Sequence, residues 1–518
     1  MTMPRPLLHD LATLPLFDAE TTGRLERRAA AALPQHELMA RAGRALARLA
    51  RAIAPHARSA WIAAGPGNNG GDGLVLATHL HAAGLDVRVS LVGHAPGRAL
   101  PPDAAWALAN ARAAGVVLQD TLPDGASFDL AVDALLGVGQ RRAAEGVFAA
   151  AIAALNACRA PRLAVDLPTG LATDTGAALG DAVVQATHTL TLLTPKAGLF
   201  TGAGREFAGE IWFDDLGVAP SADDHPVATL CGELDASALL PARRHLAHKG
   251  SYGDVHVAGG AAGMVGAALL AGHAASRAGA GRVLVHTRAS QDGGALPVDV
   301  RQPELMLRPA AELQAALRAN ARASVVAGCG GGDDVRAELP GCLSNACRLV
   351  LDADALNAIA ADPGLRAQLE RRGARGRPTV LTPHPLEAAR LLYVKAADVQ
   401  ANRLSAAREL AAETGAVVVL KGSGSIVATP SGEVVVNPSG DARLATAGTG
   451  DVLAGWIAGL WAAQPHDDGD ALALARRVAA AAVFVHGRAC EQAPGARLPL
   501  VAGALADAMA RAAEALQG

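Results

Sequence analysis

Aromatic residues are scarce in this chain, at 3% of 518 positions: two tyrosines, five tryptophans and seven phenylalanines. Beside abundant alanine and arginine, that scarcity is the composition of a GC-rich bacterial genome. Concentrated positive charge is also missing. The 46 Lys and Arg against 49 Asp and Glu leave a net charge of −3 with no basic block, so nucleic acid is not an implied partner. No apolar run is long enough to cross a bilayer, which removes a membrane role. The opening stretch MTMPRPLLHDLATLPLF is broken by Pro4, Pro6, His9, Asp10 and Pro15 and has no signal-peptide core. Six cysteines, at 158, 231, 329, 342, 347 and 490, form no CxxC pair and no zinc-spaced cluster. Free buried thiols in a reducing compartment, and hence a cytoplasmic location, are expected.

With 51% apolar and 18% charged residues, the chain is a folded one, too long for a single core. Residues 1 to about 55 read as helix, with Leu38, Met39, Ala42 and Leu46 on one stripe. Strand-like runs follow at Ala60–Ala64, Val87–Val92, Leu130–Val132, Leu163–Val165 and Thr187–Leu193, with a helix over about Gly73–His81 and Ala-rich stretches between them. After Phe213 the alternation lapses into the polar, proline-rich APSADDHPV of residues 219–227, a linker composition. It restarts at Asp254–Ala258 and runs through Arg282–His286, Ser324–Ala327, Leu349–Leu351, Thr379–Leu381, Val417–Leu420 and Val434–Val436. Alternation of this kind predicts parallel sheets covered by helices in two α/β domains, 1–222 and 228–518.

The most informative segment is TAGTGDVLAG, Thr446–Gly455. A turn through Gly448, Thr449 and Gly450 delivers Asp451 into an apolar run carrying Trp456, Ile457 and Leu460. The free N–H groups of such a helix start form an anion site, with a carboxylate beside it. Lys421-Gly422-Ser423-Gly424-Ser425 follows another strand and suits a nucleotide phosphate. His384, in TPHPLE, either meets substrate or caps the helix beginning near Pro385; Asp352 and Asp354 in LDADALN follow a further strand.

In the first half, Gly65-Pro66-Gly67-Asn68-Asn69-Gly70-Gly71-Asp72-Gly73 follows a strand and formally holds GxGxxG. The acid that a dinucleotide dehydrogenase needs at the end of the next strand is missing, since that strand ends Val92-Gly93-His94. Asp133 and Asp166 each close an LAVD strand, and strand carboxyl ends line the crevice where ligands bind. Asn69, Asp133 and Thr169 offer an amide, a carboxylate and a hydroxyl, an oxygen set suited to a hard cation. The alternative is that the two acids only cap turns.

GPGNNGGDG, VDALLGVG and DLPTG resemble the YjeF-type NAD(P)H-hydrate epimerases. HKGxxG at 248–253, GCG at 328–330, DADALN, TPHPxE, KGSGS and AGTGDVLAG resemble the ADP/ATP-dependent NAD(P)H-hydrate dehydratases. Joined in one chain, they are similar to the bifunctional NAD(P)H-hydrate repair family. The resemblance implies a Rossmann-like three-layer N-terminal domain and a ribokinase-like C-terminal domain. It implies K+ on Asn69, Asp133 and Thr169, and hydrated cofactor on Asn68, Asn69, Gly70, Gly71, Asp72, on Gly137, Val138, Gly139, Gln140, Arg141, Arg142 and Ala143, and on Asp166, the proton-transfer residue. In the dehydratase half, Gly330, His384 and Asp451 would contact the hydrate, and Lys421 to Ser425 with Gly450 the nucleotide, ADP by preference over ATP, with Mg2+. Asp451 would be the catalytic acid–base. A homo-oligomer is the expected assembly.

Departures from the family pattern are Thr169 for serine, Val138 for threonine, Cys329 for the proline of a Gly-Pro-Gly turn, Asp441 for asparagine, Ala447 for glycine and Ser425 for threonine. Asp441 is expected to place an extra negative charge near phosphate. Asp451 needs no upward tuning if exposed, since an ordinary Asp is ionised at neutral pH. The alternative function is a ribokinase-type small-molecule kinase with a fused nucleotide-binding domain. A non-catalytic nucleotide sensor is a further rival, set aside because the acids and glycine turns are all retained.

Overall fold

The structure is a computed structural model that describes residues 4–7, 12–95, 97, 99–123, 127–240, 243–288, 298–465, 469–495 and 498–517. The chain divides into two compact units, one spanning Leu14–Thr229 with the described N-terminal residues 4–7, the other running from Leu230 onward.

In the first unit, eight described strands form one sheet. Its spatial order is Arg5–Pro6, Glu210–Asp214, His188–Leu192, Arg162–Val165, Leu130–Ala134, Ser59–Ala64, Asp86–Leu91 and Val117–Gln119. All neighbours are parallel except the first pair, which is antiparallel. The central strands are buried along nearly their whole length, as the apolar runs required. The expected long N-terminal helix is two helices, Ala19–Ala32 and Glu37–Ile53. Pro34 and His36, whose φ is 66°, break them apart, and the described residues before Ala19 hold short strands at Arg5–Pro6 and Leu14–Leu16 instead of helix. Met39, Ala42 and Leu46 face the core as their spacing predicts. The helix after the first central strand begins at Asn68, not near Gly73. Asn69 to Asp72 therefore lie in a first helical turn. Gly70 makes that possible, because a Cβ there would stand 1.8 Å from Gly65 O. The polar 219–227 segment has no helix or strand, but Asp224 is buried, accepts from Ser221 and pairs with Arg28.

The second unit's sheet runs Met306–Pro309, Arg282–Thr287, Asp254–Ala258, Ser324–Ala327, Arg348–Leu351, Thr379–Leu381, Val417–Leu420, Ile426–Ala428 and Val434–Val436. It is parallel through Val417–Leu420, then turns antiparallel through a hairpin to Ile426–Ala428 and on to Val434–Val436. Lys421 to Ser425 are that hairpin's loop. Strands Glu210–Asp214, Met306–Pro309 and Ile426–Ala428 were not legible as periodic runs; each has only three to five residues. Helix Thr449–Ala462 packs along helix Val265–Arg277, with Trp456 and Trp461 fully buried. The two backbones touch: a Cβ on Gly455 would stand 2.0 Å from Ala271 O, and one on Gly459 2.2 Å from Ala275 O.

Gly455→Ala should separate this helix pair and lower the second unit's stability by about 1–3 kcal/mol, the usual cost of overpacking. Thermal unfolding should show a lowered midpoint; an unchanged one would contradict the close approach.

Candidate active sites in the two units

The first site lies at the carboxyl ends of the first unit's central strands. Asp133 pairs in register with Ala63 and Ala164, in the middle of the sheet. Its carboxylate accepts from Leu135 N (3.1 Å), Thr169 N (2.8 Å) and Thr169 Oγ1 (2.8 Å). No cationic side chain pairs with it among the described residues, and burial pushes its carboxyl up to about 6. Asn69 comes in from the helix start, with Oδ1 3.2 Å from where a Gly137 Cβ would be. Its Nδ2 is buried with no hydrogen-bond partner among the described residues. Asp166 follows its strand at φ 68°, a left-handed conformation that Asp tolerates. It accepts from Leu192 N at 3.1 Å and forms an ion pair with the fully buried Lys196. Lys196 Nζ also donates to Leu192 O at 2.6 Å.

A cavity of about 710 Å³ opens here, lined by Asn68, Asn69, Asp72, Gly137, Val138, Gly139, Gln140 and Asp166 of the expected set. Gly70 and Gly71 are buried behind it, Gly71 against Met39 and Ala104. Arg141, Arg142 and Ala143 are exposed and outside the lining. Gln140 ties two loops together, donating to Pro168 O (3.2 Å) and accepting from Gly170 N (2.7 Å). Glu26, Asp103 and Lys196 line the same cavity and were missed. Lys196 carried a signal, a polar residue just past a strand's carboxyl end. Glu26 lies on an amphipathic helix and carried none. Burial first, and the nearby Asp166 charge second, push the Glu26 carboxyl up. Burial and then Glu26 push Asp72 well above the usual range.

The second site gathers four loops at one end of the second unit's sheet. Asp352 closes the strand Arg348–Leu351 and is buried. Its Oδ1 accepts from Lys421 Nζ and Thr382 Oγ1, each at 2.7 Å. Burial acts to lower the Lys421 ammonium, but Asp352 and Glu387 together leave it raised. Gly422, at φ 134°, lets the hairpin loop lie on buried Arg403, whose Nη atoms would be 3.0 Å from a Cβ there. Arg403 also donates to Lys421 O at 3.2 Å. Ser425 Oγ donates to Gly422 O at 3.2 Å within the same loop. Gly450, in the first turn of helix Thr449–Ala462, would put a Cβ 3.1 Å from Lys421 Nζ. Asp451 follows it. The thiol of Cys329, between Gly328 and Gly330, lies within 4.8 Å of an Asp451 carboxylate oxygen. Asp354 accepts from Gly332 N at 2.8 Å and holds that glycine loop.

Two expectations change. Asp451 is tuned: burial first, then the Asp352 charge, push its carboxyl up to about 6, because the helix start lies against other acids rather than in open solvent. Asp441 adds little net charge, because Arg443 chelates it with bonds of 2.7, 3.0 and 3.2 Å and holds it down at about 2. His384 does cap its helix, accepting at Nδ1 from Leu386 N (3.1 Å) and Glu387 N (3.3 Å), while its ring stays half-exposed.

Residues 35–198 match the family described as YjeF-related protein N-terminus, and residues 255–511 the family described as NAD(P)H-hydrate dehydratase. The chain is 36% identical over 449 residues to the bifunctional NAD(P)H-hydrate repair enzyme Nnr of Escherichia coli strain K12, covering 85% of this chain and 84% of that one. To the Coxiella burnetii enzyme of the same description it is 37% identical, covering 92% and 94%. The chain belongs to the bifunctional NAD(P)H-hydrate repair enzymes. Its two units are the family's Rossmann-like epimerase domain and ribokinase-like dehydratase domain. Among solved structures it is similar to the ADP/ATP-dependent NAD(P)H-hydrate dehydratase of Bacillus subtilis co-crystallised with ATP/Mg2+, at 30% identity and TM-score 0.44, covering 55% of this chain and 97% of that one.

In this repair-family chain, Lys196→Met would leave Asp166 as an unpaired buried charge. The first unit should lose about 3–5 kcal/mol, the cost of breaking a buried ion pair from one side. Chemical denaturation read on Lys196→Met and on the double variant Lys196→Met/Asp166→Asn checks it. The second change should restore part of the loss.

Proposed function

We propose that the first unit, residues 1–222, interconverts the R and S epimers of hydrated NADH and NADPH, and that the second, 228–518, dehydrates the S epimer with consumption of an adenine nucleotide, ADP by preference. The observation that carries the reading is Asp451 at a glycine-led helix start, beside the Lys421–Asp352 pair. The substrate hydroxyl, on ring carbon 6, is a poor leaving group, and phosphorylation makes it a good one. Asp451 accepts the hydroxyl proton as the oxygen attacks the terminal phosphoryl group. Lys421, oriented by Asp352, and the N–H groups of the Gly448–Gly450 turn stabilise the charge on the transferring group. Phosphate then departs with the C6–O electron pair, the ring nitrogen's lone pair assists, and loss of a proton from C5 restores the ring double bond. Gly330 and His384 border the hydrate, and Ser423 to Ser425 the nucleotide, which enters with Mg2+.

In the first unit Asp166 moves the proton at the same hydroxyl, and Lys196 holds its carboxylate in place. Asp133, Thr169 and Asn69 fit a potassium ion: a buried carboxylate with no cationic partner among the described residues, a touching hydroxyl and an amide whose oxygen can coordinate a hard cation. Bound there, the cation would supply a fixed positive charge that positions substrate. The epimerase then converts the R epimer, which the dehydratase rejects, into the S epimer that it takes. The small-molecule kinase alternative would leave a stable phosphoester, whereas dehydration releases free phosphate and restores the absorbance of the reduced nicotinamide.

Asp451→Asn should cut nucleotide-dependent repair by roughly 10²–10⁴-fold, the usual worth of a general base, while epimer exchange persists; Asp166→Asn should do the reverse. Loss of both activities in either variant would contradict separate sites. Because Asp451 titrates at about 6, dehydration should fall about tenfold per pH unit below that value and level off above it. A profile flat down to pH 4 would argue against an Asp451 base.

A further inference from the structure

Cys329 stands where the family resemblance leads one to expect proline, and its thiol reaches the reaction centre. Its Sγ, a carboxylate oxygen of Asp352 and a carboxylate oxygen of Asp451 all lie within 4.8 Å of one another. These three ligand atoms come from two strand-end loops and one helix start of the second unit, held together by the sheet. Cys329 and Asp352 are buried, and Asp451 is partly exposed, so the group has a solvent side. Asp352 still has an oxygen to offer. Lys421 and Thr382 both use its Oδ1, and Oδ2 faces the Gly450 side, 3.9 Å from where a Cβ would be.

We propose that Cys329, Asp352 and Asp451 form a site for a thiophilic divalent cation of the zinc class, and that occupying it shuts off the dehydratase centre. The part of the proposal that concerns inhibition rests on Asp451 acting as the base. Ligands at about 2.0–2.3 Å from a tetrahedral ion stand roughly 3.3–3.7 Å apart, so an inward shift of about 1 Å by the partly exposed Asp451 completes the geometry, with water as the fourth ligand. One thiolate among two carboxylates selects zinc, cobalt or cadmium over magnesium, which takes oxygen ligands and keeps its waters. The magnesium that travels with the nucleotide therefore does not compete for sulfur. On binding, the Cys329 S–H bond breaks, its proton passes to solvent and the Sγ electron pair goes to the cation. The Asp451 oxygen that would accept the substrate proton is then engaged by the ion. A Gly-Pro-Gly turn has no such ligand, so the inhibition belongs to the chain that carries cysteine.

The test titrates the full chain with Co2+ in excess Mg2+, without substrate, and follows the near-ultraviolet sulfur-to-cobalt charge-transfer band. Zinc affinity is then read by competition with a chromophoric chelator. One equivalent of cobalt should give the band, and Cys329→Ala should abolish it and weaken zinc binding by at least roughly tenfold. In the wild-type chain, zinc at concentrations that displace cobalt should suppress nucleotide-dependent dehydration and spare epimer exchange. A band that persists in Cys329→Ala assigns the metal to another of the six thiols and overturns the proposal, as does the lack of any band. The cobalt band needs no substrate, so the site stands or falls apart from the assigned reaction. If the band forms and zinc leaves dehydration intact, the inhibitory role is overturned.

Discussion

The second unit's chemistry depends on one buried contact, Lys421 Nζ against Asp352 Oδ1 at 2.7 Å. An ammonium and a carboxylate taken out of water are costly apart and tolerable together. Their pairing fixes the hairpin loop that begins at Lys421 over the strand end that carries Asp352. Thr382, from the neighbouring strand's end, shares the same carboxylate oxygen. Asp451 is then held beside a negative charge and under partial burial, and both forces raise its proton affinity. The result is a carboxyl that titrates near 6 rather than an ordinary surface one.

The first unit repeats the device on an unrelated set of loops. Asp166, just past a central strand, pairs with buried Lys196. Around it stand Glu26, Asp72 and Asp103, so among the described residues the cavity concentrates acids against a single lysine. Burial keeps proton affinity high on Glu26 and Asp72, which eases their mutual repulsion. In both units a parallel sheet supplies the frame. Its strands end together, and each ending delivers a polar side chain to one rim.

Close backbone approach does the remaining positioning. Gly455 and Gly459 let helix Thr449–Ala462 lie against helix Val265–Arg277, which sets where Asp451 emerges. Gly422 lets the Lys421–Ser425 hairpin rest on Arg403, a buried guanidinium that donates to the carbonyls of Leu420 and Lys421.

Much of this was legible in the linear chain. Long apolar runs ending in Asp or Gly turns can only be interior parallel strands, so the two α/β units and the rim residues Asp133, Asp166, Lys421 and Asp451 could be read from local pattern. Ile426–Ala428 was not legible, although Thr379–Leu381 and Val434–Val436, equally short, were. The partnerships were also out of reach. Asp352 and Lys421 are 69 residues apart, and Asp166 and Lys196 are 30 apart. Nothing local says which lysine meets which acid, that Arg443 neutralises Asp441, or that Cys329 lies beside Asp451. Burial and charge pairing depend on distance in space, so the tuning of each acid was decided by the tertiary structure alone.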